Sequence, residues 1–224
     1  RVLLDITHEP MFVDQVHDFA PRDGLVWIDG DTAMNPYTLQ AALRAAGAVQ
    51  LGVDLVMKGE ATQVFCGVRP PGHHAEQGKA MGFCFFNNMA VALEALRRQK
   101  KIESACVLDI DLHFGDGTVN ILNRHDWVSV VNIESQSRIS YMQQVEAAME
   151  DCQADLIGIS AGFDNHTDDW GGLLYTEDYE EIGYRVRSAA DALGAGCFAI
   201  LEGGYNHDVL GQNVLALIQG MSKR

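Results

Sequence analysis

The sequence predicts a single α/β domain in which helices cover both faces of a central, mainly parallel sheet. Short apolar runs alternate with longer segments of helical periodicity along the whole chain. Each short run is apolar on both faces, which is typical of strands in a parallel sheet that is covered on both sides. A length of 224 residues with 47% hydrophobic side chains suits one such domain and a substantial core.

The elements alternate in the order that a parallel sheet with helical crossovers requires. In chain order, the predicted strands are residues 2–6, 64–68, 106–111, 128–133, 156–161 and 197–202. The predicted helices between and after them are residues 37–58, 88–98, 141–151, 177–193 and 209–221. In such folds, functional residues lie beyond the carboxyl ends of the strands. The loops that directly follow the strands are therefore where chemistry is expected.

The charge of the chain argues against direct binding to nucleic acid. The 16 Lys and Arg residues against 31 Asp and Glu residues give a net charge of −15, which repels phosphate backbones. The one basic run, residues 97–101, is short and is interpreted as a solvated helix end. The negative charge weakly favours cationic small molecules or lysine-rich peptides as partners.

The cysteines indicate a reducing compartment, which predicts a cytoplasmic protein, or a nuclear one if the source is a eukaryote. The chain has an odd number of them, without CxxC spacing and mostly in apolar runs: Cys66, Cys84, Cys106, Cys152 and Cys197. No apolar stretch approaches the roughly 18 residues that a membrane-spanning helix needs, and no signal peptide is apparent, so no membrane partner is expected.

The first chemical motif follows the strand at 64–68 and contains two adjacent histidines. His73 and His74 lie in the segment RPPGHHAE, where two prolines and a glycine predict a fixed loop. A histidine pair in a rigid loop at a strand end favours a functional role over packing.

The second motif is the end of the strand at 106–111. Side chains alternate along a strand, so Asp109, Asp111 and His113 share one direction while Ile110 and Leu112 take the other. Three ionisable groups at the end of an apolar strand would be costly without partners. They indicate either a bound cation or a tight network of carboxylates and imidazole.

A third strand end supplies another carboxylate, Asp164, directly after residues 156–161. Together with Asp111 and His113 it makes a set of two carboxylates and one imidazole, which leaves open positions on a metal, as catalytic zinc requires. Iron(II) or manganese(II) also suits these ligand types. The residues by themselves leave the metal open.

The last strand, residues 197–202, ends in two glycines followed by Tyr205, whose phenol can donate a hydrogen bond to an oxyanion. A Lewis-acid metal, two histidines, supporting carboxylates and a phenol are the parts of metal-assisted hydrolysis. The phosphate loop and the dinucleotide-binding glycine motif are both missing from the sequence.

These motifs resemble the zinc-dependent histone deacetylase family, which includes acetylpolyamine amidohydrolases and acetoin-utilisation proteins. The resemblance runs from about Asp29 onward, in the family's order, through DGDT, RPPGHHAE, AMGFCFFNN, DIDLHFGDGT, ISAGFD and LEGGY. It implies one catalytic domain over residues 1–224 with an arginase-like three-layer α/β/α fold and about eight strands. The expected activity is removal of acetyl, or longer acyl, groups from the ε-amine of lysine in proteins or peptides.

The resemblance also implies roles for the residues at the strand ends. Zinc would be bound by Asp111, His113 and Asp164. His74 would act as general base and then acid, with His73 as its electrostatic partner. Asp109 and Asp116 would orient His73 and His74, respectively, which is the usual function of a carboxylate behind an imidazole. A structural potassium ion near the zinc would receive contributions from Asp109 and Asp111.

Further residues are implied around the substrate. Tyr205 would polarise the amide carbonyl and stabilise the tetrahedral oxyanion. Gly82 and Phe83 would line a narrow acyl-lysine channel, and Asp31 would lie on its rim. Gly171 stands where the family usually has a bulky wall residue, so we expect a wider mouth that admits longer acyl groups. Phe114 replaces a second histidine, which is expected to alter packing only.

Two spans are shorter than the resemblance leads one to expect. The part before Asp29 is compressed, and the span between Ile133 and Tyr141 is too short for a long loop that ordinarily brings a second aromatic wall to the channel. The chain is either a minimal member or lacks loop segments. We favour omitted segments, because loss of a channel wall should harm catalysis.

Two other functions fit the same residues. The first is deacetylation of small cationic amides such as acetylpolyamines, which the acidic surface would suit. The second is a non-catalytic member of the fold that binds acyl-lysine or a protein partner, although a binding module has no need of the histidine pair. Trp27, Trp127 and Trp170 are assigned to packing or to the rim. The oligomeric state is left open.

Overall fold

The computed structural model describes residues 1–223 and has three layers. In chain order, the strands are β1 (Val26–Trp27), β2 (Ala33–Met34), β3 (Gln63–Cys66), β4 (Ala105–Asp109), β5 (Val128–Asn132), β6 (Leu156–Ala161) and β7 (Gly196–Leu201). The helices are α1 (Leu4–Thr7), α2 (Pro10–Phe19), α3 (Thr38–Met57), α4 (Asn88–Arg98), α5 (Asp116–Leu122), α6 (Arg138–Glu150), α7 (Thr176–Leu193) and α8 (His207–Met221). The predicted α/β/α class with a parallel central sheet is confirmed.

The central sheet has five strands in the order β3-β7-β6-β4-β5, and every neighbouring pair is parallel. The register places Asp109, the last residue of β4, opposite Ser160 of β6 and Asn132 of β5. The strands that precede all four sequence motifs therefore end at one edge of the sheet. That edge is where the sequence predicts the chemistry.

Alternating side chains of the strands feed two apolar layers. In β4, Cys106 and Leu108 pack with α6, α7 and α8, whereas Ala105 and Val107 pack with α3, α4 and α5. A strand that is apolar on both faces is stabilised by burial of both faces, by roughly 25 cal/mol per Å² of apolar surface. The site at the sheet edge therefore stands on a rigid core.

The first predicted strand, residues 2–6, is wrong. The segment forms α1, a single helical turn in which Leu4 is buried and Val2 is exposed. It packs with α2 and α4 in a separate apolar cluster away from the sheet. A short apolar run fits a buried helical turn as well as a strand, so periodicity does not separate the two.

The central sheet has five strands, where the resemblance implies about eight. The segment at 2–6 supplies none, and five residues, 133–137, link β5 directly to α6 with no strand between them. Sequence analysis also did not predict α2, α5 or the small antiparallel pair β1–β2. α5 has seven residues and β1 and β2 have two each, which is too short for a period to be recognised. α2 has ten residues, and the helical spacing of its buried Phe12, Val13 and Val16 is a signal that could have identified it.

The cysteines and the helices have two further properties. All five cysteines are buried and free, which agrees with their interpretation as small apolar side chains. Within residues 1–223, none of the helices combines the length and the apolarity needed to cross a bilayer.

Candidate active site

The loop between β3 and α4 carries the histidine pair and is held by a buried carboxylate. The backbone N–H groups of Gly72 and His73 donate to Oε2 of Glu202, at 2.7 and 3.2 Å. The carbonyl of His73 accepts from the N–H of Thr118 at 3.0 Å. A Cβ at Gly72 would lie 2.6 Å from the backbone nitrogen of Asn88, so only glycine permits this approach.

Each histidine has a carboxylate behind it. Nδ1 of His73 lies 3.1 Å from Oδ2 of Asp109, and both side chains are buried. Nδ1 of His74 lies 2.7 Å from Oδ1 of Asp116, in a more exposed setting. The two imidazole rings are 4.0 Å apart between centroids. Each pairing directs Nε2 away from the carboxylate and towards the centre of the site.

The two imidazoles differ in charge. Burial favours the neutral form of His73, but the carboxylates of Asp109 and Asp111 outweigh it and hold its pKa well above the usual value. For His74, burial and the neighbouring His73 cation outweigh Asp116 and lower its pKa. A cation beside a neutral imidazole is the result, and only the neutral ring can accept a proton at neutral pH.

Asp111, His113 and Asp164 meet at one point. One ligand atom from each lies within 4.8 Å of the other two, with both carboxylates buried and the imidazole partly exposed. Backbone N–H groups fix the far side of the carboxylates. Leu112 donates to Oδ1 of Asp164 at 3.0 Å, and Gly203 donates to Oδ2 of Asp111 at 2.7 Å.

The three residues fit a metal ion. Oδ2 of Asp164 is buried and has no hydrogen-bond donor, although Nδ1 of His113 is 3.0 Å away. Burial and the adjacent Asp111 carboxylate raise the pKa of Asp164, so a cation would relieve the repulsion. A Cβ at Gly203 would lie 2.6 Å from Asp111 and 2.7 Å from Asp164, and would fill the space beside both carboxylates.

Tyr205 lies beside this trio with its backbone fixed. Its N–H donates to Oδ2 of Asp169 at 2.8 Å, after Gly204 with a φ of +128°. Burial and the two carboxylates of the candidate metal site raise the pKa of the phenol, which therefore stays protonated as a donor. The indole of Trp170 stacks on the phenol ring, with centroids 3.8 Å apart and planes at 15°.

A cavity of about 240 Å³ brings these groups together. It is lined by Asp31, Pro71, His73, His74, Gly82, Phe83, His113, Trp170, Gly203 and Tyr205. Gly82 lets the backbone pass close to the ring of His74, because a Cβ there would lie 2.7 Å from Cγ of His74. The N–H of Phe83 donates to Oγ1 of Thr32, which donates to Asp31, so the rim and the wall are linked.

Gly171 does not line this cavity. A Cβ at Gly171 would point into the protein, 2.6 Å from Oδ1 of Asn165 and 3.1 Å from Leu112. The neighbouring Trp170 lines the wall instead. A side chain at position 171 would therefore point into packed atoms and not into the cavity. This direction does not support the expected wider mouth at Gly171.

One flank of the site is open. Leu112 and Phe114 are exposed although both are large and apolar, and the side chain of His113 between them is 42% exposed. A second cavity of about 420 Å³ lies along this flank, lined by Leu112, Ile133, Glu134, Ser135, Gln136, Tyr141 and Asn165. Residues 133–136 of the short link line this cavity, at the place where the sequence lacks the expected loop.

Sequence analysis missed two polar residues that support the site. Glu202 anchors the histidine loop, and burial raises its pKa to about 7. Asn132 accepts a 2.7 Å hydrogen bond from the N–H of Gly115, next to the His73 and Asp109 pair. Asn132 ends β5 and Glu202 directly follows β7, and both of these runs are mainly apolar, so a polar side chain is unusual there. That position is the signal that could have identified them.

Comparison with known proteins gives consistent matches. The model of the histone deacetylase domain matches residues 2–141 and 132–221. A probable deacetylase of Methanothermobacter thermautotrophicus is 30% identical, over 96% of this chain and 75% of its own length. A histone deacetylase-like amidohydrolase of Pseudomonas aeruginosa is also 30% identical, over 86% of this chain but only 60% of its own length.

The fold agrees with these matches. The crystal structure of an acetylpolyamine aminohydrolase from Burkholderia pseudomallei superposes with a TM-score of 0.84, covering 98% of this chain and 82% of that one at 22% identity. The two matched segments of the family domain meet at residues 132–141, the span that is short in this chain.

Proposed function

The chain belongs to the histone deacetylase family, and we propose that it is a zinc-dependent amidohydrolase that removes acetyl groups from the ε-amine of lysine in proteins or peptides. Family membership supports a deacetylase or amidohydrolase of some kind. The lysine substrate, the metal and the roles of individual residues are our proposal.

Asp111, His113 and Asp164 would hold the metal. When bound, it would act as a Lewis acid on the amide carbonyl and lower the pKa of a water molecule. Zinc suits a set of three ligands that leaves positions open, and Fe(II) is the alternative by ligand type. A structural potassium ion near Asp109 and Asp111 is a further part of the proposal and rests on the family resemblance alone.

His74 would move the proton. As a neutral imidazole, it accepts a proton from the attacking water while the new C–O bond forms, and Asp116 stabilises the resulting cation. The same proton then passes to the amine nitrogen as the C–N bond breaks. The neutral state of His74 before the reaction supports this assignment.

Tyr205 and His73 would stabilise the charge that develops. The protonated phenol of Tyr205 donates to the oxyanion, and its fixed backbone limits the reorganisation needed in the transition state. His73 remains a cation because Asp109 pairs with it. It lowers the proton affinity of His74 beside it without taking the proton itself.

One observation carries the proposal. His113 of the candidate metal site, the imidazole of His74 and the phenol of Tyr205 line one cavity of about 240 Å³, and Asp111 and Asp164 each have a carboxylate oxygen within 4.8 Å of the ligand atom of His113. A module that only binds acyl-lysine needs the cavity and the metal, but it gains nothing from an imidazole whose pKa is tuned for proton transfer.

The test is metal analysis of the purified protein joined to turnover of a fluorogenic acyl-lysine panel before and after chelation. We expect about one zinc or iron per chain beyond any potassium, loss of turnover on chelation and recovery on adding the metal back. The matched control is Asp164→Asn, which should bind the metal weakly and stay inactive after metal is added. Turnover that survives chelation and Asp164→Asn would contradict the proposal.

A second substrate class is favoured by the net charge of −15 and by the open flank that carries Glu134. Acetylated polyamines are cationic, so an acidic surface attracts them. Comparison of kcat/KM for an acetyl-lysine peptide and acetylputrescine separates the two. A ratio above ten in favour of acetylputrescine would replace lysine as the proposed substrate.

A further inference from the structure

His8 is a buried histidine that directly follows α1 and does not line the cavity of the candidate site. Its Nε2 accepts a 3.0 Å hydrogen bond from the backbone N–H of Asn87, and its Nδ1 donates to the carbonyl of Glu76 at 2.9 Å. Burial lowers the pKa of His8 to about 4, so the ring is neutral, with one donor and one acceptor nitrogen. The motifs that carry the resemblance begin at about Asp29 and give this histidine no role.

The ring of His8 is held in place by aromatic packing and by the backbone next to it. The ring centroids of Phe12 and Phe86 lie 5.3 and 5.7 Å from that of His8. The N–H of Glu9 donates to the carbonyl of Gln77 at 2.9 Å. Both the backbone and the side chain of residues 8–9 therefore bind the end of the loop that carries the histidine pair.

Asn87 connects the same loop with two helices. Its Nδ2 donates to the carbonyl of Ala75 at 3.2 Å and to Oγ1 of Thr118 at 3.1 Å. Its Oδ1 accepts from the N–H of Ala90 at 2.9 Å and so caps α4. With the bond from its N–H to His8, the polar groups of this fully buried asparagine are used for fixed contacts.

These contacts join the two segments that supply His74 and Asp116. Ala75 directly follows His74, and Thr118 lies two residues after Asp116 in α5. The side chain of Asn87 bonds both segments at once. The 2.7 Å contact between Nδ1 of His74 and Oδ1 of Asp116 is therefore set by a buried polar network that lies outside the cavity.

We propose that His8 and Asn87 are positioning residues for His74: they fix the loop that carries His74 against the helix that carries Asp116. This inference rests on the proposed amidohydrolase function, and it adds that the N-terminal segment supports the proton-transfer step. Without these contacts the imidazole has several positions relative to its carboxylate, and only one of them is productive. Because neither His8 nor Asn87 lines the cavity, their loss should lower kcat and leave KM.

The first test compares His8→Phe with His8→Gln in the metal-loaded protein. Phenylalanine keeps a ring but leaves the N–H of Asn87 and the carbonyl of Glu76 without their partner. For acetyl-lysine peptide, kcat should fall about tenfold with KM changed less than about twofold, since a displacement of roughly 1 Å can cost about 100-fold. The side-chain oxygen of glutamine replaces the acceptor Nε2, so His8→Gln should recover most of the lost kcat.

Thr7→Val is the matched control. Thr7 precedes His8 and is fully buried, and within residues 1–223 its hydroxyl has no hydrogen-bond partner. Thr7→Val should therefore keep the wild-type kcat and KM. A loss of kcat in Thr7→Val as large as that in His8→Phe would overturn the inference, because a general disturbance of α1 would explain both. A His8→Gln variant no more active than His8→Phe would also overturn it.

A double-mutant cycle connects the network with the pair of His74 and Asp116. Thr118→Val removes the hydroxyl that accepts from Asn87, and it also tests the network if His8→Phe does not fold. Thr118→Val should lower kcat severalfold in the wild-type background and much less in Asp116→Asn, because both changes act on the same contact. In Tyr205→Phe the wild-type factor should persist. Equal factors in all three backgrounds would overturn the inference.

Hydrogen exchange separates this inference from the proposed function. The N–H of Thr118 donates to the carbonyl of His73 at 3.0 Å, and His8 bonds neither group. In chelator-treated His8→Phe, exchange of this amide should be at least about tenfold faster than in the wild type, with the amides of β6 unchanged. Unchanged exchange at Thr118 would overturn the inference. If the wild-type protein hydrolyses no member of the acyl-lysine panel, the proposed function fails, and exchange still decides whether His8 holds the loop.

Discussion

The two histidine–carboxylate pairs have the same chemical groups and their histidines are adjacent in the chain, but the pairs lie in different surroundings. His73 and Asp109 are buried under the sheet edge, with side-chain exposures of 4% and 1%. His74 and Asp116 lie at the cavity side, with side-chain exposures of 17% and 40%. The pKa of the first imidazole is raised and that of the second is lowered.

The difference shows that a carboxylate partner does not by itself set the charge of a histidine. Asp109 and Asp111 together outweigh the burial of His73, whereas Asp116 is too weak to offset both burial and the His73 cation at His74. The buried pair therefore favours the cationic form of His73, and the exposed pair supplies a proton acceptor.

The largest effect is expected from His74→Ala. Loss of the proton acceptor should lower kcat by about 10²–10⁴-fold with little change in KM, because general base catalysis contributes about that much. His73→Gln, which removes only the charge, should lower kcat less. Single-turnover kinetics on acetyl-lysine peptide make the comparison, and an equal or smaller loss for His74→Ala would assign the base to another residue.

The next effect concerns stability. Asp109→Asn leaves a buried cation without its partner, which should lower the free energy of unfolding by about 3–5 kcal/mol. Asp116→Asn removes an exposed partner and should cost about 0–1 kcal/mol. Urea denaturation of the chelator-treated proteins measures the free energy of unfolding of both variants. Similar costs for the two variants would show that the buried pair is not an ion pair.

The smallest effect is a shift in pH dependence. The lowered pKa of His74 places the acid limb of kcat/KM below the usual histidine value of 6.5, and activity falls as pH falls through it because the ring becomes protonated. Asp116 raises that pKa, so Asp116→Asn should move the limb further down by less than about one unit. An upward shift would mean that the limb belongs to another group.

A large part of this protein follows from the sequence. The confirmed fold class and the convergence of four motifs at one edge of the sheet rest on regular features: strands buried on both faces, and parallel strands whose carboxyl ends lie together. The alternation that groups Asp109, Asp111 and His113 is equally local. Side-chain direction along a strand does not depend on distant residues, so it can be read directly.

Tertiary structure decided the rest, because those features depend on contacts between residues far apart in the chain. Glu202 anchors a loop 130 positions away, and Trp170 stacks on a tyrosine 35 positions later. Leu112 and Asn165 occupy the space towards which a side chain at position 171 would point, and packing on α2 and α4 makes residues 4–7 a helical turn. The local hydrophobic periodicity of the sequence does not indicate which distant surface a side chain contacts.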